Sequence, residues 1–111
     1  MIRFEKTPVF ESDTKRLCKR YPSFKEDLKD LADSLKENPE QGTPLSGGFR
    51  KIRMAITSKG KGKSGGARVI TLNCLVNTSE GLITFITVYD KSEAESISIK
   101  DIRKAFASLK K

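Results

Sequence analysis

Hydrophobic and polar positions along this chain follow two different periods, and each period predicts a different kind of element. The clearest is a helix over residues 23–39, where apolar side chains recur every three or four residues on one face: Phe24, Leu28, Leu31 and Leu35. Ser23 and Glu26 have the spacing of a capping box at its beginning. Asn38 and Pro39 predict its end, because the residue before a proline disfavours the helical conformation.

Two further helices are predicted on the same grounds. Residues 11–21 form one of them, which Pro22 closes. Residues 98–110 form the other, and Ser98 with Asp101 matches an N-terminal cap. Their apolar stripes consist of Phe10, Leu17, Cys18 and Tyr21 in the first, and of Ile99, Ile102, Phe106 and Leu109 in the second.

Alternating or continuous apolar positions predict strands elsewhere. Residues 2–8 form a short first strand, and Pro8 is expected to end it or to begin a turn. Residues 49–56 alternate, with Ile52, Met54 and Ile56 on one side and Lys51 and Arg53 on the other. Residues 67–76 and 82–91 are apolar on both faces, which is typical of central strands.

The order of these elements predicts the fold class. One strand, two helices, three strands and a last helix indicate a single α+β domain over residues 1–111. Consecutive strands with short loops form an antiparallel meander, and the first strand pairs with its edge. We therefore expect a small twisted antiparallel sheet of about four strands, with the helical hairpin on one face and a C-terminal helix.

A glycine-rich basic loop separates the first two meander strands. Gly60, Gly62 and Gly65 satisfy G-x-G-x-x-G, and the sequence from 62 to 64 resembles the end of a P-loop. Both motifs require a helix after the glycines, whereas a strand is predicted there, and Thr57 stands where the P-loop needs its first glycine. The sequence favours a flexible basic loop between two strands.

The charge balance suggests a partner. The chain has 22 Lys and Arg against 14 Asp and Glu, a formal net charge of +8. Such a surplus on a small domain favours a polyanionic partner, such as nucleic acid or an acidic protein. The alternative is that the charge serves solubility alone, but the positive residues cluster along the chain rather than scatter.

The residue types exclude other classes. Histidine is absent, which removes the commonest metal ligand and neutral-pH acid or base, and no cofactor or metal is expected. Cys18 and Cys74 have no metal-binding spacing and are expected to be reduced core residues. Residues 1–6 are charged and no apolar stretch is long enough for a membrane span, so the sequence predicts no signal peptide and a cytoplasmic location.

Basic residues from separate segments are expected to converge. In an antiparallel meander the end of the third strand lies beside the start of the second, next to the glycine loop. The catalytic set expected there is Lys51, Arg53, Arg68, Tyr89 and Lys91. The residues expected to bind RNA around it are Arg50, Lys59, Lys61 and Lys63.

Such a set suits cleavage of RNA by its own 2′-oxygen, which needs proton transfer at two oxygens and stabilisation of the phosphorane charge. Crowded cations lower one another's pKa, so a lysine can serve as acid or base. Tyr89 would stack on a base or donate a proton, and Gly65 and Gly66 would let the backbone approach RNA. Charge reversal at Arg68 is expected to abolish activity and leave the fold intact. Alternatively, each of these residues is solvated or structural.

Two segments, ENPEQGTPLSGGFRKIRMAITSKGKGKSGGARVITL and ITVYDKSEAESIS, resemble the RelE/ParE superfamily of bacterial toxins, closest to the HigB-like branch of RelE-type toxins. The likeness extends over nearly the whole chain and implies a RelE-like fold. It also implies ribosome-dependent cleavage of mRNA in the A site, which stops translation. The basic residues of the RelE pattern fall on Lys51, Arg53, Arg68 and Lys91.

The sequence also departs from that pattern. RelE has an arginine directly after the basic residue of the last strand, where this chain has Ser92 and then Glu93. RelE also has a tyrosine close to its C-terminus, and no tyrosine follows Tyr89 here. The resemblance therefore leaves the assignment of general acid and base open.

The resemblance implies partners as well. They are a cognate antitoxin, typically with a helix-turn-helix, the ribosome with its mRNA, and operator DNA through the antitoxin complex, with no membrane. Basic residues of the loop would then contact RNA of the message or of the ribosome. Two alternatives remain open: a ParE-like inhibitor of DNA gyrase, and a non-catalytic regulatory module that binds its antitoxin.

Overall fold

The computed structural model describes residues 1–109. It contains three helices, α1 (Pro8–Arg20), α2 (Phe24–Glu37) and α3 (Ile99–Ala107). Five strands make one sheet: β1 (Ile2–Lys6), β2 (Thr43–Pro44), β3 (Phe49–Met54), β4 (Ala67–Asn77) and β5 (Glu80–Asp90). The α+β class is confirmed, and single helical turns at 46–48 and 57–59 flank β3.

The sheet is mixed, with strand order β1-β5-β4-β3-β2. Strands β3, β4 and β5 form the predicted antiparallel meander, and β1 pairs with its edge. The prediction of an all-antiparallel sheet of about four strands is wrong, because β1 runs parallel to β5 and β2 adds a fifth strand. The two antiparallel helices of the hairpin return the chain to its starting end, which makes β1 parallel. β2 has two residues, too few to leave a period in the sequence.

Helices cover both faces of the sheet and enclose two apolar clusters. The first cluster joins α1 and α2 to one face through residues that include Phe10, Leu17, Phe24, Leu35, Ile52, Val69 and Val88. The second joins α3 to the other face through Phe49, Ile70, Ile86, Ile102 and Ala105. The sequence predicted the helical hairpin on one face of the sheet and did not assign the C-terminal helix to either face. The structure places that helix opposite the hairpin.

Helix α1 begins three residues earlier than predicted, because Pro8 starts it. Proline suits the first turn of a helix, where its missing N–H is not needed. Thr7 is the N-cap, and its hydroxyl oxygen accepts from the N–H of Phe10 at 3.0 Å. After β1 ends, α1 continues along the same edge of β5, where Asp13 accepts the N–H of Val88 at 3.3 Å and the hydroxyl of Thr87 at 2.5 Å.

The other two predicted caps differ in outcome. Ser98 caps α3 as predicted, since its hydroxyl accepts from the N–H of Asp101 at 3.1 Å. Ser23 does not form the predicted capping box with Glu26, because its backbone is already helical and its side chain makes no cap bond. It donates instead to Asp27 at 2.7 Å. Helix α3 ends at Ala107 and residues 108–109 form a turn, so the predicted helix is too long there, and residue 110 lies outside the described residues.

The two cysteines differ in their exposure. Cys18 is half-buried beside the first cluster, whereas Cys74 is exposed, so the prediction that both are core residues is wrong for Cys74. Cys74 lies on the outer half of the β4–β5 hairpin, beyond the helices. Across residues 1–109, no helix is sufficiently long and apolar to span a bilayer.

Replacing Gly66 with alanine is expected to destabilise the fold by about 2 to 3 kcal/mol, since overpacking forces backbone shifts. A Cβ at Gly66 would lie 2.1 Å from the carbonyl oxygen of Met54. Gly62→Ala is the matched control, because nothing lies within 4 Å of its Cβ position and only its φ of +65° is strained, at a cost of about 1 kcal/mol. Urea unfolding of both variants measures the difference, and equal losses would contradict the close approach at Gly66.

Candidate functional site

The register of the meander places one row of predicted site residues side by side. Arg53 pairs with Arg68, and Arg68 pairs with Tyr89. Adjacent strands are about 4.8 Å apart, so the row spans about 10 Å. Lys51 lies two residues before Arg53 on the same face and pairs with Ile70. We call these four residues, Lys51, Arg53, Arg68 and Tyr89, the cationic shelf.

The shelf lies on the same sheet face as α3, beyond the contacts of that helix, and Arg68 and Tyr89 within it are buried. The contacts of α3 lie around Phe49, Ile70 and Ile86, towards the opposite end of β3. Arg53 is exposed and Lys51 is half-buried, so both side chains can meet a ligand from solvent. The predicted convergence of Arg68, Tyr89 and the Lys51/Arg53 pair on one face is therefore present.

Arg68 is the most buried cation of the shelf, with 4% of its surface exposed. Its guanidinium donates to the carbonyl oxygens of Lys63 at 3.0 Å, Ser64 at 3.1 Å and Ala67 at 3.1 Å. Burial and the charge of Arg53 lower the pKa of Arg68, whereas Tyr89 raises it. The guanidinium nevertheless stays charged at neutral pH.

These contacts change the expected role of Arg68. A carboxylate at this position would face carbonyl oxygens instead of donating to them, so charge reversal would also disrupt the loop. The expectation that Arg68→Glu leaves the fold intact conflicts with this geometry. Three of the five N–H donors of the guanidinium are engaged within residues 1–109, which leaves two for an outside acceptor.

Tyr89 supplies the one hydroxyl of the shelf. Its side chain is 8% exposed, and within the described part of the chain its hydroxyl has no hydrogen-bond partner. Burial raises the pKa of Tyr89, and Arg68 lowers it by a smaller amount. The phenol therefore stays protonated at neutral pH and can donate a hydrogen bond, but it cannot act as a base there.

The remaining loop and turn cations lie at the same end of the sheet. Lys61 and Lys63 are exposed on the loop, and Lys63 lines a depression of about 260 Å³ together with Arg53. Lys91 is exposed just after β5, where its N–H donates to the carbonyl of Gly66 at 2.9 Å. The carbonyl of Gly66 is therefore engaged by the protein itself, whereas the sequence predicted that the backbone at this residue would approach RNA.

Two predicted RNA-binding residues are turned away from the shelf. Arg50 lies on the other face of β3 and donates to three carbonyl oxygens, those of Glu40, Gln41 and Gly42, at 2.6 to 3.2 Å. Lys59 pairs with Asp90 at 2.8 Å, and only 12% of its side chain is exposed. Both cations are engaged by acceptors of this chain rather than presented to a ligand.

A buried carboxylate that the sequence did not single out lies beneath this end of the sheet. Asp90 is fully buried, and its side chain accepts from Lys59, from the hydroxyl of Tyr21 and from the N–H of Ser92 at 3.0 Å. Arg20 approaches it to 3.8 Å. Burial by itself raises the pKa of Asp90, but the hydrogen bonds outweigh it and hold that pKa well below its usual range.

A second buried carboxylate fixes the beginning of the loop. Asp27 of α2 is 6% exposed and accepts from the N–H of Thr57 at 3.0 Å and from its hydroxyl at 2.6 Å. The hydroxyl of Ser23 accepts from the N–H of Ser58 at 2.9 Å. The only sequence signal for either site is an acidic residue within an otherwise buried element, which does not name its partners.

Comparisons with known proteins add no assignment. No known protein family matches this chain, and no curated protein matches it. The site must therefore be judged on its own chemistry. It offers an exposed arginine and a half-buried lysine beside a buried arginine and a buried, protonated phenol, and cations of this kind bind phosphate groups.

Replacing Asp90 with asparagine is expected to lower the free energy of unfolding at neutral pH by about 2 kcal/mol, because Lys59 loses its buried partner. A depressed carboxyl pKa stabilises the fold only while the group is ionised. The difference from wild type should therefore be full above about pH 4, the pKa of aspartate in an unfolded chain, and should shrink below it.

Urea unfolding of wild type and Asp90→Asn from about pH 7 to about pH 3 measures this difference. Asp30→Asn, an exposed position on α2, is the control and should change little across the range. A gap between wild type and Asp90→Asn that stays constant down to the lowest pH would contradict the ion pair.

Proposed function

We propose that this protein is the toxin of a type II toxin–antitoxin pair, and that it cleaves mRNA on the ribosome. The observation that carries the proposal is the row of Arg53, Arg68 and Tyr89, in register across three strands on one face of the sheet, with Arg53 exposed at its end. The net charge of +8 and the RelE-like sequence segments support a nucleic-acid substrate.

The shelf has residues of suitable chemistry for two parts of RNA cleavage, stabilisation of the phosphorane charge and protonation of the leaving oxygen. Arg53 and Lys51 hold the non-bridging oxygens of the scissile phosphate and offset the charge that develops on the phosphorane. Tyr89 is protonated at neutral pH, and its buried hydroxyl is the candidate donor to the departing 5′-oxygen once bound RNA opens the site around it. Lys63, which lines the same depression as Arg53, adds positive charge beside the scissile phosphate.

Arg68 serves this reaction as a support for the shelf. Its bonds to the carbonyls of Lys63 and Ser64 hold the loop against β4, so the loop cations stay beside Arg53. In this arrangement Arg68 positions the lysine-bearing loop, and Arg53 binds the phosphate.

The engagement of Arg68 is also the observation that favours a non-catalytic antitoxin-binding module as the second candidate function. An arginine with three of its five donors engaged by its own chain contributes less to a transition state than a free one. Controlled expression separates these functions. Early arrest of protein synthesis with new mRNA 5′ ends supports the nuclease, whereas arrest of DNA replication indicates a gyrase inhibitor, and absence of toxicity indicates the module.

Arg53→Glu is expected to reduce mRNA cleavage at least about a hundredfold, because it removes a charge that stabilises the transition state. Arg53 is exposed, so the variant should unfold at the same urea concentration as wild type. Arg3→Glu on β1 makes the same charge change at an exposed site far from the shelf. Full cleavage by Arg53→Glu, measured on translated mRNA with purified ribosomes, would remove the shelf from the mechanism.

Binding to short single-stranded RNA should weaken as salt rises, because phosphate binding releases counterions. Replacing Lys61 and Lys63 with glutamine should lower the slope of log affinity against log salt by about 1 for each phosphate that the variant no longer binds. Fluorescence anisotropy between about 50 and 200 mM salt measures the slope. Glutamine at Lys15 and Lys19, exposed on α1, is the control, and an equal decrease there would mean that the loop has no special role.

A further inference from the structure

The loop between β3 and β4, residues 57–66, is fastened to two different faces of the sheet end. We call it the lysine loop. Near its start, Lys59 binds Asp90 on the face that carries α1 and α2. Near its end, the carbonyls of Lys63 and Ser64 accept from Arg68 on the shelf face. Lys61 lies between these two attachments. Lys63 provides a carbonyl for the second one, and the side chains of both lysines are exposed.

Asp90 also fastens a second cation-bearing segment. Its side chain accepts from the N–H of Ser92 at 3.0 Å, and its own N–H donates to Glu93 at 3.1 Å. These bonds shape the turn that follows β5 and carries Lys91. The carboxylate thus contacts both the lysine loop and the turn of Lys91, the two segments that flank the shelf.

We propose that Asp90 is a positioning residue that sets the lysine loop and the turn of Lys91 beside the shelf, so that their cations meet the same bound RNA. This inference rests on the proposed function. Asp90 itself is fully buried on the opposite face and touches no substrate. It acts through Lys59 and Ser92.

The surroundings of Asp90 explain why its position is well defined. Lys59 and the hydroxyl of Tyr21 each bind one carboxylate oxygen, and Arg20 lies 3.8 Å away. Arg20 also approaches Glu93 at 3.9 Å. A buried carboxylate with this many donors has few alternative orientations, since any rotation leaves a donor or an oxygen without a partner.

The matched control is Asp13, a carboxylate that also contacts β5. Asp13 accepts from Thr87 and Val88 and joins α1 to the strand, but it has no hydrogen bond to the lysine loop. If Asp90 acted only by stabilising the fold, Asp13→Asn and Asp90→Asn would have the same consequences at equal loss of stability. A positioning role predicts that they differ in the loop.

The experiment compares wild type, Asp90→Asn, Lys59→Met and Asp13→Asn. Trypsin cleavage after Lys61 and Lys63, followed by mass spectrometry, reports how often the lysine loop opens. We expect Asp90→Asn and Lys59→Met each to speed that cleavage at least about tenfold. Combining these two substitutions in one chain should add little to the effect of either alone, because both remove the same ion pair. Asp13→Asn should leave it within about twofold, and Lys59→Arg should restore part of the protection.

The second measurement is RNA affinity at low salt, together with its salt slope. Asp90→Asn should reduce both affinity and slope, as the double glutamine variant of Lys61 and Lys63 does, whereas Asp13→Asn should reduce neither. The inference is overturned if Asp90→Asn leaves loop cleavage and slope at wild-type values, or if Asp13→Asn changes them equally. Failure of wild type itself to bind or cleave RNA would refute the proposed function, and loop cleavage would still decide whether Asp90 positions the loop.

Discussion

The pairing of β4 with a strand on each side is the constraint on which the rest of the structure depends. Residues 67–71 of this central strand are all buried, because strands flank both of its edges and apolar clusters cover both faces of the sheet, so a charged side chain in this stretch needs partners from the protein. Arg68 is the charged member of the stretch, and an unpaired buried guanidinium would be costly. Carbonyl oxygens of the adjoining loop provide its partners, so the burial of β4 determines how that loop is held.

The same end of the sheet carries opposite charges on opposite faces. Arg68 lies in register with Tyr89 on the shelf face, and Ala67 lies in register with Asp90 on the face of the helical hairpin. The lysine loop passes around the end and is bound on both sides, by Asp90 through Lys59 and by Arg68 through its own carbonyls. A segment rich in glycine and lysine is therefore fixed at several points, although its composition predicts a flexible loop.

The sequence predicted the elements that repeat a pattern and missed those that depend on a single contact. The stripe of α2 and the alternation in β3 specified their elements, because burial acts on many residues in the same period. β2 and the parallel pairing of β1 depend on chain path, which the period does not encode. The convergence of Arg53, Arg68 and Tyr89 could be inferred from topology, but the engagement of Lys59 by Asp90 could not. That ion pair joins residues 31 positions apart, and nothing local to either residue specifies the other.

A net charge of +8 overstates the positive charge that this protein can offer to a phosphate. Arg50 and Arg68 each direct three hydrogen bonds to carbonyl oxygens of the chain, and Lys59 pairs with the carboxylate of Asp90. Under the proposed function, binding of RNA depends on the cations that remain exposed, above all Arg53 and the loop lysines. The engaged cations contribute by fixing where the exposed ones lie, because long-range attraction alone gives affinity without the alignment that cleavage at one phosphate requires.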